Sequence, residues 1–327
     1  MIRLVVFLTA LTTVNGFNDA ALVGPRLSLL KKTDSTPSST PASPTAKIGD
    51  LVIPNVATGT INWGADTSAV SDFAVKHHRP CFYDTAERYS TSPLVIFGMG
   101  WGTTEERFAE GAENGAIVGT KFTPTPWRKS SKDVVEAALR SRERMGVDKL
   151  DLYSIHMPDI FSKDPKQAPL DPVYWDGLVE CVERGIVSNI GVSNYGSTLT
   201  ERCQSHLAER GVVLASNQIH YSLLYNTKSE ACRKACEEMG VSTFGYFGLG
   251  MGLLTGAYSR DELMKNRDKY GLSDFYGYAQ GEIDLALPSA RGKGRSLRKY
   301  HSSLHLIPRL ITLTFSIFTF LLSSLPR

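Results

Sequence analysis

Residues 82–90 read FYDTAERYS: an apolar pair, Phe82 and Tyr83, runs into a carboxylate, Asp84, and a phenol, Tyr89, follows five residues on. The same punctuation recurs along the chain. Short runs rich in β-branched and aromatic residues end at "LVIPNVATG", "CFYD", "AIVGTK", "LDLYSIH", "IVSNIGVSN", "VVLASNQ" and "VSTFGYF". Between them lie amphipathic stretches such as "SSKDVVEAALRSRERMG", "DPVYWDGLVECVERG" and "SEACRKACEEMG". In the first of these, Val134, Val135, Ala138 and Met145 recur at helical spacing. "ERG" and "EEMG" end on a glycine suited to a left-handed cap. Strand followed by helix, repeated every roughly 24–37 residues, predicts a parallel sheet with crossover helices, an α/β fold of the (β/α)8 TIM barrel kind. A doubly wound sheet would want G-x-G-x-x-G after its first strand, and "VATGTINWG" does not supply it.

The polar residues stand in telling places. Asp84, Lys121, His156, Ser193, Asn194, Asn217, Gln218 and Tyr246 all fall at the C-terminal ends of candidate strands. In a barrel those ends share one rim, so the residues converge on one mouth. Each has an ordinary reading when taken singly. Asp84 is a reasonable helix N-cap, with Glu87 completing a capping box in "DTAE", and Lys121 and His156 are unremarkable loop or surface residues. Together they form a proton-delivery set. A phenol titrates near ~10. An adjacent ammonium favours the phenolate, which predicts that Lys121, held by Asp84, lowers the Tyr89 pKa. A neutral His156 would orient a substrate oxygen. Such a set protonates a carbonyl oxygen as hydride arrives at its carbon, and the hydride must come from a cofactor. Ser193, Asn194 and Gln218 would grip a carboxamide, and the Tyr246 ring would stack on it. Tyr83, Tyr153 and Trp63 read as packing.

The chain has 327 residues and a formal net charge of +3, which gives no reason to expect a nucleic acid partner. Its five cysteines lack zinc-ribbon spacing, and no metal site is read from them. Cys232 and Cys236, four apart on one helix face, read first as plain helix thiols and second as a redox or metal pair. Residues 1–16, with Arg3, an apolar run and Gly16, have the layout of a signal peptide. Residues 17–47 are rich in Ser, Thr and Pro and read as a disordered transit segment. The two resemble a bipartite plastid presequence, with secretion or membrane association as the alternative localisations.

"FYDTAERYS", "VGTKF", "YSIHMPD", "IGVSNYG", "SNQIHYSLLY" and "MGLLTGAY" resemble, in order, motifs of the aldo-keto reductase superfamily, nearest to its plant-type pyridoxal reductase-like branch. The likeness runs over about residues 50–258. It implies a barrel over residues 48–290 that reduces a small-molecule aldehyde or ketone with NADPH. It also implies Tyr89 as general acid, Lys121 and Asp84 as its tuning pair, and His156 orienting the substrate. Ser193, Asn194, Gln218 and Tyr246 would surround the nicotinamide, with Gly59 and Thr60 on the first-strand turn. Where the family has Ser-Pro-Leu after the tyrosine, this chain has Phe247, Gly248 and Leu249, with Leu249 kept as a cofactor contact.

The family's eighth strand and its phosphate-binding helix are not visible, so the barrel is expected to be incomplete there. Residues 291–327 form a basic and then apolar tail instead. Leu310 to Leu325 as a helix would reach about 24 Å, short of a ~30 Å hydrocarbon core. The tail reads as a membrane anchor or as a misread end of the coding sequence. A non-catalytic nucleotide-sensing or membrane-associated subunit, or an inactive truncated product, is the alternative to an enzyme.

Overall fold

The computed structural model describes residues 5–9, 45–61, 63, 82–89, 103–106, 116–162, 168–250 and 254. The chain divides into two compact units, Met1–Met251 and Gly252–Arg327, and the architecture below belongs to the first. Seven strands follow one another as parallel neighbours: β4 (Val56–Gly59), β5 (Phe82–Asp84), β6 (Ile117–Phe122), β7 (Leu150–Ile155), β8 (Val187–Ser193), β9 (Leu214–His220) and β10 (Ser242–Tyr246). Four described helices serve as crossovers or follow strands: α1 (Ser131–Met145), α2 (Asp171–Glu183), α3 (Ser197–Ala208) and α4 (Asn226–Glu238). This is the (β/α) barrel that the alternating pattern predicts.

Among the described residues no strand follows β10. The place of the eighth stave is taken from the other end of the chain. β1 (Val5–Thr9) lies parallel to both β10 and β4, pairing Val5 with Phe244 and Thr9 with Gly59, and closes the barrel. The apolar run that reads as the heart of a signal peptide is therefore a strand here. A short Val-Val-Phe-Leu-Thr run suits a pleated ladder as well as a leader.

β2 (Thr45–Ile48) and β3 (Leu51–Pro54) form an antiparallel hairpin, so ordered backbone begins within the segment expected to be a disordered leader. Gly49 makes the two-residue turn at φ +55°, a left-handed position open to glycine. A Cβ there would also stand 2.0 Å from Asn189 Oδ1, which instead accepts from the Asp50 amide at 3.1 Å. The hairpin sends Ala46, Ile48 and Ile53 into the barrel against Phe82, Leu152, Ala215 and Phe244. Ser242, the first residue of β10, donates to the Lys47 carbonyl at 2.7 Å, which places the plug at the strands' N-terminal ends. The C-terminal mouth is left for chemistry.

A second apolar layer joins the outer strand faces to the helices, with Tyr83, Tyr153, Trp63, Trp175 and Tyr174 among its largest members. α1 starts on a reciprocal Ser130–Asp133 capping box and ends on Gly146 at φ +64°. Its buried face holds Val134, Val135, Ala138 and Met145, as its spacing predicts. Among the described residues no helix is long and apolar enough to cross a membrane. The expected tail at 291–327 and most of the leader at 1–47 lie outside the described residues.

Candidate active site

Because the strands run parallel, their C-terminal residues share one end, and the register sets them side by side. Gly59 pairs with Asp84, Asp84 with Gly119, Lys121 with Ser154, and Ser193 with Gln218. Lys121, almost fully buried, donates to Asp84 Oδ1 at 2.7 Å, to the Thr85 carbonyl at 2.8 Å and to the Tyr89 hydroxyl at 3.3 Å. An ammonium has three donors, and all three are committed. Asp84 Oδ2 accepts from Gln218 Nε2 at 3.1 Å, so both carboxylate oxygens are held. The Tyr89 and His156 rings meet edge to face at 5.5 Å.

The loop that carries Tyr89 is pinned by groups to which the sequence assigns another role or none. Glu87 is not part of a capping box. It is fully buried and takes both of its oxygens to Arg128, while the Thr123 amide donates to it at 2.6 Å. Residues 85–89 are not helical, and the Glu87 carboxylate is taken up by Arg128 and the Thr123 amide rather than by the Asp84 amide that a capping box would use. Thr104 donates to the Tyr89 carbonyl at 2.6 Å and lies within reach of the Trp63 carbonyl at 3.1 Å. The opposite charges of Glu87 and Arg128 are the only signal the sequence carries, and the fold is needed to bring them together and bury them.

On the far side of the mouth, Asn194 sits at φ +62° and bridges three elements. Its amide nitrogen donates to the His156 carbonyl at 3.0 Å and to Ser193 Oγ at 3.1 Å, and its oxygen accepts from the Tyr246 hydroxyl at 2.7 Å. His220 stacks on Tyr246, with centroids 5.3 Å apart and planes 14° off parallel. Gly59, Thr60, Asp84, Tyr89, His156, Ser193, Asn194, Gln218 and Tyr246 line one cavity of about 170 Å³. Ile61 and Phe247 join them, whereas Leu249 does not line it and lies in the turn after β10. Asn217 faces the helix layer, bonding the Tyr195 carbonyl and Thr200.

The family model for aldo/keto reductases matches residues 68–311. The chain belongs to the aldo/keto reductase family. It is 33% identical over 234 residues to the chloroplastic pyridoxal reductase of Arabidopsis thaliana, an alignment covering 66% of this chain and 62% of that one. To the aldo-keto reductase yakc [NADP(+)] of Schizosaccharomyces pombe it is 26% identical over 252 residues, 71% of this chain and 67% of the other. A solved aldo/keto reductase from Brucella melitensis superposes with a TM-score of 0.51 at 24% identity, covering 71% of this chain and 80% of that one, which shows the shared fold. The match to the Arabidopsis relative spans less than two thirds of that protein's length.

The electrostatics of this aldo/keto reductase site correct one expectation. The Tyr89 pKa lies well above the ordinary phenol value, not below it. Burial is the first cause, and the negative charge of Asp84 adds to it. Lys121 does not reverse this, since its shortest contact is to the carboxylate and burial draws its own pKa down. Asp84 is raised by the same burial, with Lys121 and Gln218 opposing. His156 is pushed down to about 3 by burial, then by the charges of Lys121 and Arg88, so it is neutral around pH 7. Thr123 Oγ1 pairs with His156 Nδ1 at 3.3 Å. With Thr123 donating, the ring proton sits on Nε2.

The residues present fit the nicotinamide end of a dinucleotide. Asn194, Ser193 and Gln218 supply amide and hydroxyl groups, and Tyr246 supplies an aromatic face held by His220 behind it. The cavity is below the roughly 300–1,000 Å³ of sites that enclose a drug-sized ligand, so the described part accounts for one end of the cofactor only.

Proposed function

We propose that this chain reduces an aldehyde or ketone to an alcohol with NADPH, and that Tyr89 delivers the proton. The observation that carries this reading is the third hydrogen bond of Lys121. Because the ammonium donates to the Tyr89 oxygen at 3.3 Å, the hydroxyl proton has to point elsewhere, toward whatever oxygen enters the cavity. The raised pKa keeps that proton on Tyr89 until an acceptor gains negative charge. As it leaves, the phenolate faces an ammonium already in place, with no reorganisation needed. Neutral His156 is then a hydrogen-bond donor to the same oxygen and does not compete as an acid. NADPH, when bound, supplies the hydride; Ser193, Asn194, Gln218 and Tyr246 would hold its nicotinamide, with Gly59 and Thr60 beside them.

The exposed Trp127, Ile160 and Phe161 follow β6 and β7 at this end of the barrel, which favours an apolar or aromatic carbonyl compound. Pyridoxal is the specific substrate proposed, supported by the Arabidopsis relative's being a pyridoxal reductase. That relative's chloroplastic location and the composition of residues 1–47 support a plastid address.

The test is NADPH oxidation by the full chain with pyridoxal and with a simple aromatic aldehyde. Tyr89→Phe should lower kcat by about 10²-fold or more, while NADPH still quenches tryptophan fluorescence at an unchanged Kd. Equal turnover by wild type and Tyr89→Phe would overturn the assignment of the acid.

A further inference from the structure

Cys232 and Cys236 have no part in the proton-delivery set, yet they are built into more than a helix face. Cys232, partly exposed on α4, donates to the Tyr195 carbonyl at 3.1 Å. Cys236 is fully buried one helical turn further on, on the same side of α4. Asn217 Nδ2 stands 3.5 Å from Cys232 Sγ and 3.8 Å from Cys236 Sγ, tying both to β9 one residue from Gln218. We propose that Cys232 and Cys236 form a dithiol that closes reversibly to a disulfide on reaction with a small disulfide reagent, entering through Cys232.

One amide nitrogen lies beside both sulfurs, and the Cys236 pKa is drawn down to about 7, first by Cys232, while that of Cys232 is pushed up by Cys236 and burial. Reach is sufficient as well. Residues four apart on a helix have Cα atoms about 6 Å apart, inside the range of roughly 4.4–6.8 Å that disulfides span. Their Cβ atoms start at about 5–6 Å and must close to about 4 Å, so the helix turn has to give. α4 is suited to that, since Ser229, Ala235 and Cys236 are its only buried residues. Cys181 and Cys203 offer no partly exposed thiol through which a reagent could enter: both are fully buried, and burial raises their pKa values.

The chemistry balances. The reacting form of the pair carries one proton and one negative charge. Cys232 passes its proton to Cys236 and, as thiolate, attacks one sulfur of the reagent, whose other sulfur leaves as a thiolate. That leaving thiolate takes the proton back from Cys236. The Cys236 thiolate then attacks Cys232 Sγ, forming the internal S–S bond and expelling the second reagent thiolate. The two cysteines are oxidised, the reagent disulfide is reduced, and one proton and one negative charge appear on the products.

This inference does not depend on the proposed carbonyl reduction. The test is to treat the folded full chain with oxidised glutathione, block remaining thiols, and digest with trypsin. Cleavage after Arg233 and Lys234 separates the peptide carrying Cys232 from the one carrying Cys236. In wild type the two peptides should be recovered joined and be released by dithiothreitol. Cys236→Ser should lose the joined pair and keep glutathione on Cys232, whereas Cys232→Ser should remain unmodified at Cys236. Stable glutathione on Cys232 in wild type, no reaction at either cysteine, or joining seen only after denaturation would overturn it. The wild-type result decides even if a variant fails to fold.

Discussion

At Lys121 the three donors of one ammonium are divided among a carboxylate, a backbone carbonyl and a phenol, and the role proposed for Tyr89 rests on that division. A buried carboxylate can show the opposite economy. Asp171 opens α2 and accepts from the Asp159 amide at 2.8 Å. Its pKa is raised from 3.8 to about 6, first by burial and further by the charge of Asp159, against the hydrogen bonds from Asp159 and Tyr195. The folded state therefore binds this proton more tightly than the unfolded chain. Its contribution to stability is full below about pH 4 and is lost as pH rises through 6. The whole effect is at most about 3 kcal/mol. Asp171→Asn should melt higher than wild type at pH 7.5, and that advantage should shrink toward pH 4.5. Thermal melts of both proteins across this range check it, and a constant difference would remove Asp171 as the cause. This residue was not singled out from the sequence, nor was Glu87 read correctly. Burial and partner identity decide a carboxylate's state, and neither is written in its local spacing. By contrast, Asp84, Tyr89, Lys121 and His156 were legible because strand ends repeat and a barrel sends them all to one rim.

Among the elements, α1 and α2 show how close two crossovers can lie. A Cβ placed on Gly177 would stand 2.6 Å from Val134 Cβ and 2.7 Å from the Ser131 carbonyl. The second of these is backbone, fixed by the Ser130 cap, so it cannot swing aside. Alanine would gain about 1 kcal/mol of helix propensity over glycine, but overpacking against fixed backbone costs typically 1–3 kcal/mol. Gly177→Ala should therefore lower stability by up to about 2 kcal/mol, measured by urea unfolding, and a gain of stability would show that the helices slide apart freely. The helices themselves were readable from their apolar spacing and glycine stops. The β2–β3 hairpin was not, because "LVIPNVATG" runs two strands together, and Pro54 and Asn55 at their junction look like one loop. Phe247 was noted only as a departure from Ser-Pro-Leu. Its φ of +58°, a costly position for an aromatic residue, turns its ring onto Tyr246 at 5.0 Å and into the cavity.

For the whole molecule the question is how the barrel closes. Seven strands in a row would leave β10 and β4 with unpaired edges, which sheets avoid, and β1 satisfies both at once, with two paired positions on one side and four on the other. The same five residues read in sequence as the apolar run of a leader, and nothing in their composition separates the two fates, since hydrophobicity serves a targeting receptor and a pleated ladder alike. The fold makes a consequence measurable. A protein beginning at Phe17 lacks β1 and exposes both edges. If roughly four net ladder bonds are lost at about 1 kcal/mol each, the melting temperature should fall by about 10 °C, at some 2–4 °C per kcal/mol. The shortened chain should also associate through its open edges. Comparing residues 1–327 with 17–327 by thermal melt and size-exclusion chromatography tests this. Identical melting and monomeric elution of the two would mean that β1 contributes nothing to closure, and that the edges of β4 and β10 are covered by other residues of the chain.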